Sequence, residues 1–175
     1  MLQNKKGMFS IEYAITLMIF LMILTFTLDF AVISVKRNSM SQFSQTVVRQ
    51  VRVQSGLERT MPDNFPGTES TYATTAQIRD AFFNKLQGLG LDSDGAEMVI
   101  EGINTSGSKQ TWTISEGSLP NVLLDYQSPF TVKLTFKYRW GFFSSFMTSD
   151  QEKKFTVKST GITEYNRDAD QWEDE

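Results

Sequence analysis

The stretch KKGMFSIEYAITLMIFLMILTFTLDF, residues 5–30, decides how the chain is read. From Ala14 to Leu28 fifteen residues pass without a charge, and Met8 to Val35 holds only Glu12 and Asp29 as charged side chains. A membrane-crossing helix needs about 20 predominantly apolar residues at about 1.5 Å rise each, so the run is long enough to span. Glu12 is then the anomaly. A carboxylate at the centre of a bilayer costs about 2.5–3.5 kcal/mol or more, and such a residue usually marks a functional site with a partner.

Three readings of the N-terminal segment compete. A cleaved secretory signal has a short apolar region followed by small residues at the cut, whereas here Lys36 and Arg37 follow a long run. An uncleaved signal anchor fits the length but gives Glu12 no task. In the third reading a short basic leader, MLQNKKG, is removed and the apolar run stays. Lys5 and Lys6 before the run are balanced by Lys36 and Arg37 after it, so the charge rule for topology is nearly silent.

The segment Gly7-Met8-Phe9-Ser10-Ile11-Glu12-Tyr13, behind two lysines, resembles the prepilin-peptidase site of type IV pilin-like proteins. In that family a basic leader ends in Gly, cleavage follows the Gly, and Glu is the fifth mature residue. Tyr after the Glu is the form of the Flp/Tad (tight adherence) branch. A chain of this size with a folded C-terminal part is similar to the TadE-like pseudopilins of that system. The specific match covers residues 5–35, about a fifth of the chain, and the remainder agrees in layout alone.

The resemblance implies cleavage between Gly7 and Met8, a new α-amino group on Met8, and charge pairing between that amine and Glu12 of a neighbouring subunit, beside Tyr13. It implies a prepilin peptidase, other pilin or pseudopilin subunits, an inner-membrane assembly platform and a secretion ATPase as partners. It also implies a single pass through the cytoplasmic membrane, N-terminus inside and head outside, with a role in a fimbrial fibre for adhesion or secretion. The plainer alternative for Glu12 is that its carboxylate snorkels to the nearby headgroups.

Beyond the run, residues 36–55 contain no Gly or Pro, and Met40, Phe43, Val47 and Val51 form a helical stripe. One helix is expected from about residue 8 to about 55, roughly 70 Å long, with Gly56 as its C-cap. No proline interrupts it before Pro62. Residues 57–73 read as a loop. Thr74 or Thr75 is expected to cap a second helix bearing Ile78, Phe82 and Leu86, stopped by Gly88. LDSDG, residues 91–95, reads as a turn. Its Asp92 and Asp94 fall short of the EF-hand pattern at the third ligand and at the closing Glu.

Residues 97–103 and 110–115 flank a polar NTSGS turn and read as a hairpin. Asn104-Thr105-Ser106 is formally a glycosylation sequon, though these are also ordinary turn residues. Residues 130–139, FTVKLTFKYR, alternate apolar and polar and form the clearest strand, with Phe130, Val132, Leu134, Phe136 and Tyr138 on its buried face. A last strand covers 154–165, with a bend at Gly161. In WGFFSSFM, residues 140–147, Trp140, Phe142, Phe143 and Phe146 are candidates for core packing or for a subunit or membrane contact.

Composition excludes much chemistry. With no Cys and no His, the chain builds no thiol nucleophile, no disulfide and no Ser-His-Asp or Cys-His arrangement. A net charge of −3 gives no global case for nucleic-acid binding. The expectation is an α+β structural protein without enzymatic activity, metal or cofactor. Its parts are a leader at 1–7, a membrane and assembly half at 8–35, an extracytoplasmic head at 36–165 with a small antiparallel sheet on the outer half of the helix, and an acidic tail at 166–175. An uncleaved single-pass protein with an extracytoplasmic binding domain is the alternative.

Overall fold

The fold follows from an apolar helix that nothing in the sequence interrupts. A computed structural model describes residues 3–63, 65, 67–139, 141 and 152–166, with backbone alone for 3–8 and 152. Helix α1 covers Gln3–Gln54. It starts earlier than the expected residue 8, because the leader holds no Pro and the turn around Gly7 costs only about 1 kcal/mol relative to Ala. The residues form two compact units: Met1–Lys36 with Arg139–Glu152, and Arg37–Tyr138 with Lys153–Glu175.

In the first unit, α1 is long and apolar enough to cross a membrane. Nearly every side chain from Phe9 to Phe30 is exposed.

In the second unit, α1 buries Met40, Ser44, Val47, Val51 and Gln54 along one stripe. Phe43, expected in that stripe, is half-buried and stacks on Phe82 with ring centroids 6.2 Å apart. The residue that ends α1 in the left-handed region is Ser55 (φ 50°), not the expected Gly56, which opens strand β1 (Gly56–Leu57). Ser55 holds this conformation by two ties: its hydroxyl donates to the Tyr165 carbonyl, and its own carbonyl accepts from Leu124 N at 3.1 Å.

Helix α2 (Thr75–Gly88) begins with a capping box: Gln77 N donates to Thr74 Oγ1 at 3.2 Å, and Thr74 N to Gln77 Oε1 at 2.9 Å. Ile78, Phe82 and Leu86 are buried, as their spacing predicts. Gly88 is still helical, and the left-handed turn falls at Gly90 (φ 58°), where Gly90 N and Leu91 N close on Gln87 and Leu86 carbonyls at 2.9 Å.

The larger sheet has the order β3-β2-β5-β6, from β2 (Asp92–Ile103), β3 (Lys109–Ile114), β5 (Pro129–Arg139) and β6 (Glu152–Ile162). A second, two-stranded antiparallel sheet joins β1 to β4 (Val122–Leu123); it was not expected, being built from strands too short to carry a period. LDSDG is not a free turn. Asp92 already pairs with Lys137, and the register shifts between Asp92 and Glu97, with Gly95 at φ 65°. This is a bulge.

Antiparallel registers align the buried side chains into rows: Ile114, Met98 and Leu134, then Trp112, Ile100 and Val132. In β5 the burial alternates as expected, with Phe130 to Tyr138 inward at every second residue. Large aliphatic and aromatic side chains contribute about 1.5–3 kcal/mol each when removed from water. The Asn104 carboxamide oxygen accepts from Ser106 N at 3.1 Å and Ser108 N at 2.9 Å and so closes the β2–β3 turn.

Strand β6 runs through Gly161 without interruption, so the expected bend is replaced by a close approach. A Cβ at 161 would lie 2.7 Å from Phe130 Cζ and 2.9 Å from Val48 Cγ1. Ser44 Oγ donates to Ser159 Oγ at 2.9 Å, tying α1 to the same strand. Of the acidic tail at 166–175, only Asn166 is among the described residues.

Candidate functional site

The apolar half of α1 carries few polar side chains, and their treatment differs. Thr16 donates to the Glu12 carbonyl at 2.9 Å, Thr25 to Met22 at 2.9 Å, Thr27 to Ile23 at 2.8 Å and Ser34 to Phe30 at 2.8 Å. Each hydroxyl therefore closes on the helix's own backbone and presents little polarity to its surroundings.

Glu12 has no such outlet. Its side chain is exposed, among neighbours such as Phe9 and Tyr13 that are also exposed, and nothing among the described residues hydrogen-bonds or pairs with its carboxylate. Tyr13, 66% exposed, lies beside it on the helix surface. Gly7 and Met8 belong to α1 by their backbone.

Asp29, the second acid of the run, is handled in the opposite way. It is 2% exposed, on a face with half-buried Thr25 and buried Ile33. Within this unit Gly141 lies against it, so that a Cβ at 141 would stand 3.3 Å from Asp29 Oδ1. The i, i+4 spacing of residues 25, 29 and 33 is a signal of this face in the sequence, and an acid at its middle position hides it from a search for apolar stripes.

The aromatic candidates Trp140, Phe142, Phe143 and Phe146 lie outside the described residues. Among the described residues no three His, Cys, Asp or Glu side chains gather where they could hold a metal ion. Asp92 Oδ1 accepts from Asp94 N at 2.9 Å, and Asp94 pairs with Lys137 at 3.2 Å, so these two acids serve the bulge.

Compared with protein-family models, curated proteins and solved structures, the chain has no match.

Proposed function

We propose that the chain is a membrane-inserted structural subunit of a fibre: a minor pilin or pseudopilin similar to those of Tad-type type IV pili, processed between Gly7 and Met8. The observation that supports this most is Glu12, an exposed carboxylate without a partner among the described residues, on an apolar stretch where Thr16, Thr25, Thr27 and Ser34 each close on a backbone carbonyl of the helix. A charge kept in such surroundings needs a counter-charge from another molecule. The α-amino group freed on Met8 of an incoming subunit supplies it, and the pair fixes axial register because a mismatched neighbour leaves both charges buried and uncompensated.

In this reading the subunit waits in the cytoplasmic membrane, N-terminus inside and the α+β head outside. A prepilin peptidase removes residues 1–7. An inner-membrane platform driven by a secretion ATPase then moves the helix from lipid into a bundle of other pilin or pseudopilin subunits. A second reading, an uncleaved single-pass anchor with an extracytoplasmic binding domain, is favoured by one feature: α1 runs helical through Gly7 and Met8, and a peptidase must open that turn.

Two measurements test the proposal. Intact-mass spectrometry of membrane-extracted protein is expected to show a chain beginning at Met8; one still beginning at Met1 selects the anchor. Glu12→Gln is expected to leave cleavage and insertion intact but to deplete the sheared-fibre fraction. Removing one member of a buried pair costs about 3–5 kcal/mol, which corresponds to a loss of about 100-fold or more in incorporation. Equal incorporation refutes the pairing and leaves Glu12 as an interfacial anchor.

A further inference from the structure

The outer face of the four-stranded sheet, turned away from the core, ends in an open cleft of about 1300 Å³, lined wholly by residues of the second unit. Two rows of side chains cross it. Strand pairing sets Thr111 opposite Glu101, and Glu101 opposite Thr131. Thr135 Oγ1 approaches Thr156 Oγ1 to 3.4 Å, and Gly161 closes on Phe130. The antiparallel register that satisfies both contacts puts Thr160 beside Thr131. The first row is therefore Thr111, Glu101, Thr131 and Thr160, hydroxyls around one carboxylate. Two residues on along each strand, on the same face by alternation, lie Lys109, Ile103, Pro129 and Ile162. This second row is apolar, with Ile162 58% exposed, and the stem of Lys109 continues it while its ammonium stays in water.

The polar groups of the cleft are open to a ligand. Thr111, Thr131 and Thr160 hydrogen-bond nothing among the described residues. Gln110 uses its Oε1 on Asn104 Nδ2 at 3.0 Å, and Gln127 uses its Nε2 on Tyr126 Oη at 3.2 Å, which leaves the amide nitrogen of the first as a donor and the carbonyl oxygen of the second as an acceptor. The charges cancel within the chain, because Arg52 pairs with Glu164 and Glu101 with Lys133. An uncharged polar ligand is therefore favoured over an ion. Tyr126, also in the lining, is 43% exposed and sits on a braced turn. Asp125 N donates to the Ile103 carbonyl at 2.9 Å, Ser128 N to Thr163 Oγ1 at 3.0 Å, and Ser128 Oγ to the Asp125 carbonyl at 2.8 Å. Between these ties Gln127 is held at φ 52°. Strain of this kind gathers where a fold holds groups for a ligand, and a ring fixed in this way loses little freedom on contact.

We propose that the cleft binds an uncharged polysaccharide of hexose units, laid across the four strands. The strands lie about 4.8 Å apart, close to the repeat of a hexose in an extended chain, so the rows span about 14 Å and meet about three rings. A sugar ring presents hydroxyls at its edge and C–H groups on its faces. The hydroxyl row and the two carboxamides take the first, and the apolar row and the Tyr126 ring take the second. The Glu101 carboxylate has lone pairs for two neighbouring hydroxyls as well as for Lys133. A peptide is served less well: the central strands β2 and β5 are already paired on both sides, so they give an added strand no backbone edge. Because the site lies wholly in the second unit, it stands with or without cleavage at Gly7.

The test titrates cellotetraose, maltotetraose and chitotetraose into the full chain, held in a detergent without a sugar headgroup, and reads binding by saturation-transfer NMR and calorimetry. At least one saccharide is expected to bind with millimolar affinity or tighter. Tyr126→Ala is expected to weaken it by about tenfold or more, the scale of a central aromatic contact, while Tyr126→Phe keeps the ring and most of the binding. Thr131→Val keeps the shape, removes a hydroxyl and is expected to weaken binding severalfold with an unchanged urea midpoint; where Tyr126→Ala lowers that midpoint, Thr131→Val decides. Binding of none of the three saccharides overturns the proposal. So does equal binding by the parent and the variants, which puts the saccharide elsewhere on the chain. A library of unstructured octapeptides is titrated alongside: peptides that bind and are lost with Tyr126→Ala, where the saccharides fail to bind, make the cleft a peptide site and overturn it.

Discussion

Gly161→Ala probes a close approach between the last strand and the first helix. The added methyl meets Phe130 Cζ at 2.7 Å, Phe130 Cε1 at 2.9 Å and Val48 Cγ1 at 2.9 Å. Phe130 is 2% exposed and cannot swing its ring outward, and Val48 is fixed on α1. The strand must therefore move off the helix, an overpacking cost of about 1–3 kcal/mol. With a urea dependence of about 2 kcal/mol per molar, the unfolding midpoint is expected to fall by about 0.5–1.5 M. The assay is urea unfolding of the detergent-held chain followed by near-UV circular dichroism. Phe130→Leu shortens the ring, so the double variant is expected to lose less than the sum of the singles, by roughly 0.5–3 kcal/mol. A midpoint for Gly161→Ala equal to that of the parent, or strict additivity in the double variant, would refute the packing argument.

Two further changes test other joints of the head. Phe136→Ala removes a 2% exposed ring stacked on Phe155 at 6.2 Å and is expected to cost about 3–5 kcal/mol, measured in a chain starting at Lys36, itself expected to be soluble; a change under about 1 kcal/mol would mean the faces of β5 are reversed. Thr74→Ala breaks the capping box of α2 and is expected to cost about 0.5–2 kcal/mol in the same unfolding assay, with Thr74→Ser restoring most of the loss.

How much of this was legible in the sequence depends on whether a residue's role is written in a period. The strand around Phe130 to Tyr138 and the stripe Ile78, Phe82, Leu86 each repeat a spacing, so both could be read. Ser44 could not, because a serine inside a helical stripe looks like a solvent position until Ser159 is brought to it from 115 residues away. The β1–β4 pair has two residues per strand and no alternation to detect. The cap at Ser55 was missed because glycine is the usual left-handed residue, and the hydroxyl that lets serine take the place finds its partner only at Tyr165. At the candidate site, Glu12 stood out by type alone. Asp29 did not, since its burial is not written in the run itself and the neighbour found against it, Gly141, comes from a separate, aromatic stretch of the sequence.

The ties between the first helix and the end of the chain also set an order of events during synthesis. Ser44 meets Ser159, Arg52 pairs with Glu164 and Ser55 bonds Tyr165, across separations of 115, 112 and 110 residues. At about 5–20 residues per second, the helix face that carries Ser44 and Val48 waits roughly 5–20 s for its strand to emerge. The β2–β3 hairpin, whose partners run from Ile103–Lys109 to Met98–Ile114, closes without that delay. The emerging chain thus passes through an interval in which the apolar seam of its helix is open while the local hairpin is already formed, and this is the interval in which a chaperone, or a mistaken neighbour, would meet it.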